Sequence, residues 1–519
     1  MTIRDQEEER IQSEIASIEK WWASEKQARL KRPYSARDVA VMRNSIELNH
    51  QVSSQQAVKL WNLFEEKIAK KEPLLTYGAV DPILLSQLSK SGLEIGYVSG
   101  AVCGLSNVAE PSMDTADYPW DTVPNTVQKL VNSQLWHDRR QNHLRSLMTP
   151  EQRAATPKVD YLVPLIADGD MGFGSTTGIM KFTKKFVEAG VAMFHLDDLA
   201  IGMKRFTIGE GRTVVPTCEY LKRLTAARFQ LDLMGAETLL MGRADSMHAE
   251  YISSVIDPRD HGYVQGVTNP DCEPLIEAMV KAQRNGEDYK TARKLWMEKA
   301  CLLTFDEAVE KVATKEEYQE YLTLFKDSKF KSINQRRQHA SQVVAKQVFF
   351  DWDAARSTDG QYFLKHTLDH VIDRAIASLP ITDTTWARMD SPKWDEIVRF
   401  HEVLRKIDSK RAYGFGYTGR YDYKAAGFSD EQLKNLQFDL AEMGIVFQTQ
   451  PIYACQGLNM VSLEFGKMFK KEGIYGYNRD IVVPCKENET DGFETAWCGA
   501  KLSDTQMFMA DSLDVTLPY

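Results

Sequence analysis

The stretch from Asp160 to Asp198 limits what this chain can fold into more than any other. It reads Asp160-Tyr-Leu-Val-Pro-Leu-Ile-Ala-Asp168-Gly169-Asp170-Met-Gly172-Phe-Gly174, then a helical run, then Val191-Ala-Met-Phe-His-Leu-Asp197-Asp198. Tyr161 to Ala167 is a continuous apolar run with one proline, the pattern of a strand buried on both faces. It stops at two carboxylates separated by one glycine. Ser175 and Thr176 are placed to cap a helix, Ile179, Phe182 and Phe186 give that helix an apolar face, and Gly190 ends it. A second buried strand follows and stops at Asp197 and Asp198. Parallel α/β folds place their chemistry at such C-terminal strand ends.

The same alternation recurs along the chain. Strand candidates are 74–77, 93–98, the two just described, 237–243, 384–387, 411–415 and 444–449, most of them followed by helix. A right-handed succession of eight such units closes into a TIM-like (β/α)8 barrel. Ahead of it lie two amphipathic helices. One spans about 4–32 with Ile11, Ile15, Ile18 and Trp22 on one face; the other spans 52–71 with Val58, Leu60, Leu63 and Ile68 inward. Both read as packing outside the barrel. From 269 to 370 strand signals fade and helical composition rises, which reads as an insertion. The organisation expected is therefore an N-terminal helical segment (1–72), the first part of the barrel (73–268), a helical insertion (269–370), the rest of the barrel with packing helices (371–470) and a tail (471–519).

Composition narrows the function classes. Of 519 residues, 64 are Lys or Arg and 73 are Asp or Glu, so the formal charge of −9 supports neither a nucleic-acid nor a membrane-surface partner. No apolar run approaches the roughly 18 residues that span a bilayer. The first ten residues are acidic and polar, and the chain ends Leu517-Pro518-Tyr519 rather than in a peroxisomal tripeptide. The seven cysteines are scattered without Cys-x-x-Cys spacing. Together these predict a cytoplasmic protein with reduced thiols and no zinc site.

Polar groups end four strand candidates in a row: Ser99, then Asp168 and Asp170, then Asp197 and Asp198, then Arg243 with Asp245. Asp114 lies on an intervening loop. Carboxylates converging on one rim repel one another unless a cation neutralises them. Mg²⁺ suits such a site, because it prefers oxygen and often takes only one or two carboxylates directly; Mn²⁺ is the natural substitute. Arg243 would then hold a substrate carboxylate. A divalent cation beside an arginine suits a 2-oxo or 2-hydroxy acid and an enolate formed from it. Any one of these acids taken alone is more simply a solvated loop residue or helix cap. Gly169-x-x-Gly172-x-Gly174 lacks a following Lys-Ser/Thr pair and reads as a tight turn rather than a phosphate loop. His195, within an apolar strand, reads as a satisfied core histidine. His366 and His370 are four apart, but no Glu follows the first, so they do not read as zinc ligands. Arg336-Arg337 and Lys184-Lys185 read as solvated charges.

From about residue 70 to 470 the chain resembles the isocitrate lyase family of the isocitrate lyase and phosphoenolpyruvate mutase superfamily. The resemblance rests on Tyr97-Val-Ser-Gly100, Asp114-Thr-Ala-Asp-Tyr-Pro-Trp-Asp-Thr-Val-Pro124, Val159-Asp-Tyr-Leu-x-Pro-x-Ile-Ala-Asp168, the run from Gly202-x-Lys-Arg205 to Val215-Pro216, and Phe349-Phe-Asp-Trp-Asp353. It implies a TIM-like barrel and a homotetramer built from dimers that exchange helices. It also implies Mg²⁺-dependent cleavage of a carbon–carbon bond in a 2-hydroxy tricarboxylate. Carried over, Asp168 matches the direct metal ligand, Asp114 and Asp170 match water-mediated ligands, and Asp197 stands where the family usually has Glu. Ser99 and Gly100 match the turn that binds the small oxoacid, Tyr97 the base on the hydroxyl, and Arg243 the carboxylate-binding arginine.

The departures fall on the other half of the site. The family's lid motif is Lys-Lys-Cys-Gly-His, and its Cys protonates the dicarboxylate carbanion. Here that span reads Lys204-Arg205-Phe206-Thr207-Ile208. A phenyl ring has no proton to give. The Trp after Ser-Gly is Ala101, the Asn-x-Ser-Pro-Ser run reads Gly414-Phe-Gly416-Tyr417-Thr418, a later Thr is replaced near Pro451, and a Glu after the sixth strand becomes Arg388. Lost partners for a buried charge cost on the order of 2–5 kcal/mol each. The reading is a lyase of the isocitrate lyase type acting on a small carboxylic acid, with a substrate altered from isocitrate. The alternative is a catalytically silent paralogue that binds a ligand or a partner.

Overall fold

The computed structural model describes residues 3–46, 48–111, 115–204, 211–389, 392–417, 419, 421–488, 490 and 496–511. Eight parallel strands form one sheet: β1 (Leu74–Tyr77), β2 (Gly96–Val98), β3 (Leu165–Asp168), β4 (Met193–Asp197), β5 (Leu239–Ala244), β6 (Thr384–Ala387), β7 (Tyr413–Gly416) and β8 (Phe447–Gln450). From β2 to β8 each pairs with its neighbour in sequence, and β8 pairs with β1. Between β1 and β2 the ring is joined by a single parallel bridge, Gly78 to Tyr97, through the Ala79 N–H and the Tyr97 carbonyl at 2.9 Å. The result is a nearly closed barrel, as the alternation predicts.

Local signals explain the helices around it. Asp81 caps helix Pro82–Lys90 by accepting from the Ile83 N–H at 2.7 Å. Helix Thr176–Ala189 buries Ile179, Phe182 and Phe186 and ends at Gly190, whose φ of 93° suits only glycine. Ser175 occupies its N-cap position, but its side chain makes no capping bond. Helix Gln51–Lys70 lies elsewhere than expected. Ala57, Leu60 and Phe64 join Leu74, Ile166, Met193, Met241 and Phe447 in one core, so the helix closes the barrel interior. Val58, expected inward, is 45% exposed.

Between β5 and helix Leu368–Ser378 come five short helices from Leu275–Arg284 to Ile333–Val343, with two cores of their own. Arg336 belongs to the second. It is buried and paired with Asp306, not solvated, because Tyr321 and Phe325 cover it. A three-stranded ribbon of Thr213–Val214, Tyr251–Ile252 and Tyr362–Phe363 joins the chain on either side of these helices to the segment after β4. Helix Tyr453–Tyr477 follows β8 and buries only Ala454 and Gly476. Among the described residues no helix is long and apolar enough to cross a membrane.

Candidate metal centre at the barrel mouth

β3, β4 and β5 lie side by side, and their register brings the polar strand ends together. Asp168 is level with His195, and Asp197 with Arg243. Side chains two apart on a strand share a face. His195 and Asp197 therefore point the same way, and Asp198 points to the other face. After β3 the chain turns sharply: Asp170 adopts φ 44°, and the Asp197 N–H donates to the Asp170 carbonyl at 2.6 Å. Gly169 is required there, because a Cβ would collide with the His195 carbonyl oxygen.

Asp168, His195 and Asp197 each offer a ligand atom within 4.8 Å of one another, and all three are buried. His195 Nε2 lies 3.5 Å from Asp168 Oδ1 and its Nδ1 lies 3.3 Å from Asp197 Oδ1. Neither Asp197 oxygen, nor His195 Nδ1, has a hydrogen-bond partner. A buried carboxylate without hydrogen bonds is costly unless a cation completes it. The donor set thus fits a divalent metal.

Asp168 holds the turn after β2 as well as the cluster: its Oδ2 accepts from the Gly100 N–H at 3.1 Å, and its Oδ1 from the Asp170 N–H at 3.1 Å. Ser99 caps the helix that starts at Gly100. Asp170 is fully buried and bonds the Lys204 ammonium and the Tyr118 hydroxyl. Asp114 lies outside the described residues, as do Phe206 and Ile208. Arg243 is held by Asp245 through Nε at 2.8 Å and Nη2 at 3.0 Å, with Nη1 3.8 Å from Asp168 Oδ1. Asp198 and Asp245 stand behind the site. Asp198 accepts from the Asp245 N–H at 2.8 Å and from Arg374 at 3.0 Å.

The electrostatics follow from burial and neighbours. Burial pushes the Asp168 carboxyl up, but His195, Lys204 and Arg243 outweigh it and hold it below the ordinary carboxylate range. Burial would also lower Arg243, yet Asp197, Asp245 and Asp168 keep its guanidinium charged. Burial, with the Asp168 charge adding, pushes the Tyr97 phenol well above its ordinary value. Its hydroxyl lies 3.1 Å from His195 Nε2. Two residues were missed in the sequence. His195 is buried, as a core histidine would be, but its neighbours are carboxylates; its i, i+2 spacing to Asp197 was the available signal. Lys204 opens the span that matches the family's lid motif, and that match was its signal.

A parallel barrel whose mouth gathers a buried Asp-His-Asp cluster and a charged arginine defines a class of enzyme acting on small carboxylic acids. The chain belongs to the isocitrate lyase family, whose sequence pattern matches residues 14–513. It is a carbon–carbon lyase of that type. A mitochondrial 2-methylisocitrate lyase of Schizosaccharomyces pombe is 52% identical over 518 residues, covering 100% of both chains. A mitochondrial 2-methylisocitrate lyase of Hypocrea atroviridis is 35% identical, covering 95% of this chain and 90% of the relative. One from Saccharomyces cerevisiae is 33% identical, covering 95% and 88%. These names overturn the expectation of a cytoplasmic protein. The acidic N-terminal stretch, one of the features on which it rested, belongs to helix Ile3–Trp22, whose Ile18 packs with Val39 and Ala40.

Proposed function

We propose that the chain is a mitochondrial, Mg²⁺-dependent 2-methylisocitrate lyase. One observation carries the reading: the fully buried Asp197 carboxylate, without a hydrogen bond, beside His195, Asp168 and a charged Arg243. The full-length likeness to a 2-methylisocitrate lyase supports the choice of substrate.

In this reading Asp168 and Asp197 would hold Mg²⁺, with Asp114 and Asp170 as its outer partners, and Mn²⁺ would serve in its place. Bound Mg²⁺ supplies Lewis-acid polarisation of the oxoacid oxygens. Ser99 and Gly100 cradle the oxoacid half, and Arg243 grips its carboxylate with the N–H groups that Asp245 leaves open. Tyr97 accepts the proton of the substrate hydroxyl as it passes its own to His195 Nε2. The carbon–carbon bond then breaks, the hydroxyl carbon becomes the carbonyl of pyruvate, and the bonding pair moves to the dicarboxylate. That carbanion takes up a proton, and Phe206 cannot be its source. Exposed apolar residues along helix Tyr453–Tyr477, among them Val461 and Leu463, support exchange of this helix between subunits of a homotetramer.

The test is an assay of the purified protein with Mg²⁺ on 2-methylisocitrate and on isocitrate. Pyruvate release from the first should exceed glyoxylate release from the second. A protein that binds Mg²⁺ but turns over neither is the silent paralogue that Phe206 favours.

A further inference from the structure

β7 presents glycine at two positions that face into the barrel, and Trp386 on β6 uses the space. In the sheet Trp386 lies between Arg243 on β5 and Gly414 on β7. Its indole is 4% exposed and leans over Gly416. A Cβ on Gly416 would sit 2.5 Å from Trp386 Cζ2 and 3.3 Å from its Cη2. Gly416 does not have positive φ, so its backbone does not demand glycine; the indole does.

The ring has nowhere else to go. His195 stands edge-on at 5.3 Å between centroids, Tyr97 at 6.2 Å and Phe447 at 6.0 Å. On the ring's face lies the Arg243 guanidinium, its Cζ 4.9 Å from the centroid. A stacked guanidinium gains cation–π attraction and, more to the point, a fixed plane. Asp245 fixes the same guanidinium in the other direction, through Nε and Nη2. Indole and carboxylate together leave Arg243 one orientation, with Nη1 toward the Asp168 side of the cluster.

We infer that Gly416 and Trp386 are positioning residues that act as one unit: the missing side chain on β7 lets the indole seat, and the indole aims Arg243 at the carboxylate of a small 2-oxo acid. This rests on the proposed role of Arg243. Pushing the ring off its seat would turn the guanidinium that lies on its face.

The probe is pyruvate, titrated by calorimetry into protein saturated with Mg²⁺. Gly416→Ala should weaken pyruvate about tenfold, the size of an overpacking penalty in a filled core. Trp386→Phe should weaken it several-fold by removing the larger ring. The double variant should bind no worse than Trp386→Phe alone, because the smaller ring leaves room for the new methyl. Mg²⁺ affinity without pyruvate should change less than pyruvate affinity throughout. Additive losses, or a Gly416→Ala protein that binds pyruvate like wild type, overturn the inference while leaving the lyase reading intact. Wild-type protein that binds Mg²⁺ but no pyruvate overturns the lyase reading, and this inference with it. If Gly416→Ala does not fold, a Trp386→Phe protein with wild-type affinity is enough to overturn it.

Discussion

The Tyr97 hydroxyl and the imidazole of His195 meet at 3.1 Å, both side chains closed off from solvent. Burial keeps the phenol protonated, and the other ring nitrogen, Nδ1, lies 3.3 Å from Asp197 Oδ1. The proposed mechanism moves a proton through this contact. Tyr97→Phe keeps the ring and removes the path. The expected result is a fall in kcat of about 10²–10⁴-fold on 2-methylisocitrate. KM and Mg²⁺ affinity should change little, and a steady-state assay with a calorimetric control separates the three.

Asp197 makes the opposite trade from an ordinary buried acid. Its carboxylate is at 0% exposure with no hydrogen bond to either oxygen. Such a group weakens the metal-free fold and strengthens cation binding. Asp197→Asn should therefore lower Mg²⁺ affinity at least about tenfold without lowering the thermal midpoint of metal-free protein. Asp170→Asn should differ, because Asp170 holds Lys204 and Tyr118. It should cost midpoint temperature as well as affinity. Equal behaviour of the two variants in calorimetry and thermal scans would count against the assignment.

How much of this was legible in the sequence depends on distance along the chain. Asp168 and Asp197 were legible because an apolar run that stops at an acid marks a strand end, and neighbouring parallel strands align their ends. Strand parity separates Asp197, facing the cluster, from Asp198, facing a helix, and it adds His195 to the first; read apart from its neighbours, that histidine looks like core. Gly190 as a helix stop was legible because only its backbone freedom matters. What no local pattern carries is pairing across the fold. Arg374 reaches Asp198 over 176 residues of sequence, and Arg336 in a charged run is buried by rings that fold over it. The seating of Trp386 over Gly416 joins two strands through empty space, and a sequence does not list its vacancies.

Arg374 ties the barrel to the segment that follows β4. It is fully buried, pairs with Asp198 at 3.0 Å and Asp260 at 3.2 Å, and donates to the Val215 carbonyl at 2.6 Å. With Nε also donating to His370 Nε2 at 3.0 Å, the side chain has four acceptors spread over its three nitrogens, which suits a guanidinium and not an ammonium. Arg374→Met leaves two carboxylates buried without their counter-charge, and about 3–5 kcal/mol of stability should be lost in urea denaturation. Arg374→Lys should recover only part of it. Because Asp198 also accepts the Asp245 N–H, both variants should weaken pyruvate binding by loosening the support of Arg243.

His401 makes stability depend on pH at a place remote from the chemistry. It is 2% exposed on helix Trp394–Ile407, edge-on to Phe400 at 4.9 Å and to Tyr413 at 5.5 Å. Nδ1 donates to the Ile397 carbonyl at 2.8 Å, and Nε2 is buried without a partner. Burial pushes the imidazole down to about 4, with Arg405 adding to the shift and the Ile397 bond opposing it. In the unfolded chain the ring titrates near 6.5, so between about 6.5 and 4 the unfolded state holds the extra proton. Stability from this residue is complete above the upper value and is lost as pH falls toward the lower one, at about 1.4 kcal/mol per pH unit. His401→Phe keeps the aromatic packing and does not titrate. The wild-type protein should therefore lose about 2 kcal/mol more than the variant between pH 6.5 and 5, with no further divergence below 4. Urea denaturation of both proteins across that range measures the difference, and parallel curves would mean that His401 takes up its proton in the folded state as readily as in the unfolded one.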